Sequence, residues 1–202
     1  SDLLELTADS DCDGSGDLVV TSDGSLDSAY DLAVRSAGVS WSGSLDAAVD
    51  SMTFGVCPGV SMGLGGVSSE GSQTFRLTQD EIDSMSTTAE LIFESTSGAI
   101  TVYDLTYAAN GLVLNASTSG SVSLEGSVTV EDLAAYAGAG ISIAADVTSS
   151  GSVVLEGAYS GSDIGGAYAI DVEAEARLTA VDGILDLESE IGRAHVRTPV
   201  TQ

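Results

Sequence analysis

The chain has 202 residues, 43% of them hydrophobic, and a formal charge of −26 from 31 acidic residues set against five arginines and no lysine. That charge excludes nucleic acid and anionic membrane surfaces as natural partners and leaves cations, basic surfaces and envelope components; the apolar fraction and a mean hydropathy of +0.25 exclude a chain that stays disordered. The length suits one domain, here 1–190, followed by a tail of different character over 191–202.

The first informative stretch is "TADSDCDGSGDLVV", residues 7–20. Counted from Asp9, it places carboxylates at loop positions one, three and five (Asp9, Asp11, Asp13), then Gly14, the Ser15 carbonyl and Asp17 at positions six, seven and nine. Calcium takes six to eight hard oxygens, and alternate residues of a tight turn can direct theirs inward. At position twelve, where an EF-hand has a bidentate Glu, stands Val20, and the continuation reads as strand, so the helix–loop–helix form is excluded. Two readings remain: an acidic calcium loop that borrows a further carboxylate such as Asp23, or a solvated Asp/Gly turn. Cys12 lies inside this loop and Cys57 is its only potential partner; a disulfide is expected in an exported acidic protein, and two separate buried thiols are the alternative.

Strands are expected at 18–21, 30–35, 39–41, 45–49 and 73–77, with a Gly/Ser-rich loop over 58–72 and Trp41 in the core. "GLGG" at 63–66 lacks a phosphate-loop Lys and reads as a flexible loop. "LTQDEIDSM" offers Thr78 and Glu81 as a capping box for a helix at 79–85, and "VTVEDLAAY" offers Thr129 and Asp132 for a second at 130–137. These lie 51 residues apart, which suggests a diverged duplication.

From Gly98 onward the period is two. Val122, Leu124, Gly126, Val128 and Val130 alternate with Ser and Glu or Thr. Ile141, Ile143, Ala145 and Val147 do the same, and the stretch from Tyr168 to Leu178 alternates apolar with charged residues. "AANG", "TSSGS" and "AVDG" read as tight turns between them. One-sided alternation with short turns predicts an all-β antiparallel meander, a curved sheet closing toward a barrel or sandwich, with the two short helices. Tyr103, Tyr107, Tyr159 and Tyr168 are expected to cap its apolar face.

The segments "CDGSGDLVVTSDG", "VSWSGSLDAAV" and "YDLTYAANGLVLNASTSGSVSLEGSVTV" resemble the strand-and-turn units of Gly/Ser-rich β lipoproteins of the bacterial cell envelope, a group with no settled activity. The resemblance covers about half of the chain through low-complexity patterns, and the lipidated amino-terminal cysteine of that group is missing. Ser1 without a preceding signal peptide points to a mature form or an excised fragment. Residues 191–202, "IGRAHVRTPVTQ", resemble the in-frame translation of a sequencing-library adapter, with Arg197 where that reading has a stop.

The catalytic inventory is thin. With His195 set aside as part of that tail, no histidine or lysine is left for a Ser-His-Asp triad, a histidine-bound zinc or Schiff-base chemistry. Paired carboxylates could serve glycoside hydrolysis, although ten aromatic residues leave few platforms for sugars. Asn115-Ala116-Ser117 is a glycosylation sequon inside an expected strand, and no apolar run reaches the about 20 residues of a membrane helix. A membrane β-barrel shares the alternation but would need aromatic girdles.

The first functional expectation is therefore a non-enzymatic module, secreted or on the cell envelope, of structural or ligand-contact role and without a cofactor. A calcium-dependent adhesive module is the second and a carboxylate-pair hydrolase the third. The sequence carries no signal for an oligomeric state.

Overall fold

The computed structural model describes residues 3–47, 50–67, 73–116, 118–157, 170–189 and 195–196. Among these, every strand pairing is parallel. The antiparallel meander, barrel or sandwich expected from the alternation is overturned: the chain winds into a parallel β-solenoid. Parallel neighbours require a long connection, and here that connection is the rest of one coil, about 20 residues, at the short end of solenoid repeats.

Three faces line the core. On the first, Leu91, Leu112, Leu133 and Val153 stack in one inward row, and Phe93, Leu114, Ala135 and Leu155 in the next. On the second, Met62, Ile100, Val122, Ile141 and Ile170 are aligned; on the third, Leu105, Val128, Val147 and Leu178. None of these is more than 2% exposed. Phe54 stacks on Phe93 with ring centroids 5.6 Å apart and meets Phe75 at 6.2 Å. The period of two therefore holds, with apolar side chains inward and polar ones outward, while the partner of each strand is the next coil. The outward residues form columns of their own, of which Thr106, Thr129, Thr148 and Thr179 on the third face are the most uniform.

Aspartates staple the corners. Asp31 Oδ1 accepts the Ser51 amide at 3.0 Å, Asp104 that of Ser127 at 2.9 Å, Asp132 that of Ser152 at 2.6 Å and Asp146 that of Arg177 at 3.0 Å. Each Asp precedes an inward residue, and each donor precedes the residue aligned with it on the following coil. A peptide N–H that the corner would leave unpaired thus meets a carboxylate, a charge-assisted bond.

Several expected elements change accordingly. The helix at 130–137 is instead the strand Val128–Ala137, with Leu133, Ala135 and Ala137 buried at period two; Asp132, assigned to a capping box, caps the neighbouring coil. The 51-residue offset between helices loses one of its two anchors. "AANG" is a bulged corner within Leu105–Ala116, not a hairpin turn. The expected strand through 168–178 breaks into Ile170–Val172 and Leu178–Ala180 with Ala174 exposed between them, and the loop over 58–72 contains the strand Met62–Leu64.

The first helix forms at Gln79–Asp83 with its Thr78/Glu81 capping box. It belongs to an excursion in which Phe75–Leu77 pairs with Met62–Leu64 on the edge away from Ile100–Val102, and Met85–Thr87 then pairs with Ser44–Ala47. Trp41 is buried, its indole N–H donating to the Gly43 carbonyl at 3.0 Å. Tyr107 is buried, whereas Tyr103 lies outside under the Arg76 guanidinium, 4.9 Å from the ring centre; Tyr159 and Tyr168 fall outside the described residues.

Phe93→Ala should lower the unfolding free energy by about 3–5 kcal/mol in urea denaturation because it opens a cavity against Phe54. The outward Thr129→Ala should change it by no more than about 0.5 kcal/mol.

Candidate functional site

The acidic loop closes at the first coil. The Ala8 amide donates to the Arg35 carbonyl at 2.8 Å and the Ala37 amide to the Gly16 carbonyl at 3.1 Å, so both ends of the loop are tied to the same neighbouring strand end. They also touch each other: a Cβ on Gly16 would lie 2.2 Å from the Ala8 carbonyl oxygen, and Gly16 has φ +113°. Only glycine fits there. Within the loop Cys12 takes φ +57° and forms the expected disulfide with Cys57, with a Cα–Cα distance of 5.5 Å. Cys57 is buried at the end of the strand Met52–Val56. Its sulfur lies 3.7 Å from the Asp9 carbonyl, a packing contact because a bridged sulfur carries no hydrogen.

Three of the five expected ligands come together. Asp9, Asp11 and Asp13 each place a carboxylate oxygen within 4.8 Å of the others. Asp11 and Asp13 face solvent, whereas Asp9 is 1% exposed and neither of its carboxylate oxygens has a hydrogen-bond partner among the described residues. Asp13 Oδ1 accepts from both the hydroxyl and the amide of Ser15, and these bonds hold its carboxyl below the usual Asp range. Ser15 is present in the loop as a partner of Asp13. Asp17 is not brought into the cluster: it starts the strand Asp17–Val20, with its carboxylate against Gly38 on the next coil, where a Cβ would come within 2.7 Å of Oδ1.

A second acidic grouping was not singled out by sequence. Glu156 and Glu188 are aligned on neighbouring coils. Burial pushes the Glu156 carboxyl up, helped by the charges of Glu188 and Asp186. The signal was the alternation of "VVLEG" and "ILDLESE", but alignment of the two acids depends on the coil register. Neither acid lines the grooves beside Trp41 or Gly66. A surface groove of about 440 Å³ is lined by Trp41, Arg76, Thr78, Asp80 and Glu81. Glu81 is already engaged by the Trp41 amide at 3.2 Å and the Thr78 amide at 2.7 Å, so its carboxylate braces the helix cap. Asn115 donates to Glu94 at 3.3 Å from within its strand.

Comparison of the chain with known protein families, curated proteins and solved structures finds no match. Fold and site define it by class, as an acidic, disulfide-pinned parallel β-solenoid with a carboxylate cluster on its first coil. Among the described residues no helix is long and apolar enough to cross a membrane.

Replacing both cysteines by serine should lower stability by up to about 4 kcal/mol, the chain-entropy value for a bridge closing 45 residues, measured by thermal denaturation against the oxidised parent. Glu156 and Asp13 should respond to pH in opposite senses. The raised Glu156 contributes stability at acid pH that is lost as pH rises through its folded value; the lowered Asp13 contributes stability that is lost as pH falls through its folded value. NMR titration should show the Glu156 carboxyl moving back toward the ordinary Glu range in Glu188→Gln, with Asp13 unchanged.

Proposed function

We propose that the chain is a non-enzymatic solenoid module of an exported or cell-envelope protein, acting in surface structure or ligand contact. The observation that supports this reading best is the alignment of outward side chains into columns, with Thr106, Thr129, Thr148 and Thr179 in register on one face. A scaffold whose coils repeat at strand spacing, about 4.8 Å, presents an extended array of hydroxyl and carboxylate groups rather than a concave site. The disulfide suits an oxidising compartment. A net charge of −26 suits saline surroundings, where salt screens the repulsion between coils. A bias in genomic base composition would also remove lysine, and it leaves the columns unaffected. The resemblance to Gly/Ser-rich envelope β lipoproteins agrees in setting.

The test is a binding and turnover panel on the purified, oxidised chain. Envelope polysaccharides and basic peptides should bind saturably, and a Thr106→Glu, Thr129→Glu double variant should weaken that binding at least tenfold while folding normally. Hydrolysis of a glycoside that disappears in Glu156→Gln or Glu188→Gln would replace this reading with the carboxylate-pair hydrolase.

A further inference from the structure

We infer that Asp9, Asp11 and Asp13 form a calcium site whose ion completes the first coil. Acidic residues crowd the surface of this protein, and clustering alone would carry nothing. Asp9 is different in kind. Its side chain is 1% exposed, both carboxylate oxygens are buried, and no donor among the described residues reaches either. A buried carboxylate without hydrogen bonds or a counter-charge is the costliest state such a group can occupy. What lies within reach is two more carboxylates, Asp11 and Asp13, with ligand oxygens no more than 4.8 Å from that of Asp9. Three like charges at that separation repel one another unless a cation sits among them.

The spacing suits calcium. Oxygens bound at 2.3–2.6 Å on opposite sides of one ion are separated by up to about 4.6–5.2 Å, so three oxygens within 4.8 Å of one another have the separations that ligands of one calcium ion show. All three ligands are hard oxygens, with no imidazole or thiolate to favour a transition metal. Cys12 is consumed in the disulfide, and that bridge fixes the backbone between the second and third ligands. Asp11 and Asp13 are exposed, which leaves room for waters to fill the remaining coordination positions. Asp17, the fourth acid of the loop, lies outside the cluster, against Gly38 of the neighbouring coil. With three carboxylates and a partly open shell, the affinity belongs in the weak range of extracellular modules, about 10⁻⁴–10⁻³ M.

The experiment is calorimetric and thermal titration of the full, oxidised chain with calcium chloride at constant high ionic strength. Sodium chloride steps serve as the screening control and magnesium as the competitor. Wild type should show saturable calcium binding and a rise in Tm beyond that given by matched sodium chloride. Asp13→Asn, a change at an exposed position, should weaken binding at least tenfold, and Asp9→Asn should abolish it while raising the Tm of the calcium-free protein. Asp80→Asn, far from the loop in sequence and on the helix, should bind as wild type does. Absence of saturable binding in wild type overturns the inference. So does equal weakening by Asp80→Asn, or unchanged binding in Asp13→Asn and Asp9→Asn, since either would show general screening of a charged surface.

Discussion

Everything in this protein rests on in-register stacking of one coil on the next. A parallel ladder satisfies the backbone only if each coil presents its strands at the same heights as its neighbour, and burying the inward rows is favourable only if apolar side chains meet apolar side chains. The rows through Leu91 and Phe93 meet both conditions at once. A slip of one residue would turn Leu133, Ala135 and Ala137 to solvent and bring Asp132 and Tyr136 inward. The backbone ladder and the hydrophobic core therefore specify the same register, and the faces, corners and loops follow from it.

The acidic residues divide into groups with different physics. Corner aspartates such as Asp104 and Asp146 are structural acceptors, each meeting an amide of the following coil. The Glu156–Glu188 column is a liability of the same stacking, because identical heights bring like charges together. Asp9 belongs to neither group, being buried without a hydrogen-bond partner among the described residues. A net charge of −26 is thus a composite: part of it bonds the coils, part strains them, and part waits on a counter-ion.

Much of this was present in the sequence in a form that strand-by-strand reading passes over. "DLVV" at 17, "DLAV" at 31, "DLTY" at 104, "DLAA" at 132 and "DVTS" at 146 share one pattern: an Asp, an inward apolar residue, an outward residue and an inward one. In the last four the Asp is a corner staple. The pattern was hidden by uneven coil lengths, above all by the excursion carrying the helix Gln79–Asp83, which nearly doubles the step from Met52 to Leu91. The error at 130–137 has the same root. Thr129 and Asp132 fit a capping box locally, but Leu133 and Ala135 complete two inward rows already begun by Leu112 and Leu114, and packing overrides propensity. In the acidic loop, Asp9, Asp11 and Asp13 were legible as a group from alternate spacing, whereas the loss of Asp17 to Gly38 was not, because it depends on which strand the next coil brings alongside.

By itself the sequence determined what depends on neighbours along the chain: strands with one apolar face, a capped helix at Thr78, and an acidic loop with a cysteine at its centre. Pairing direction, coil register, the separation of Glu156 from Glu188 and the burial of Asp9 were decided only by tertiary structure. Alternation fixes which way a side chain points relative to its own strand, and says nothing about which strand lies beside it. That choice is made by the summed burial and hydrogen bonding of all coils together, and no local stretch contains it.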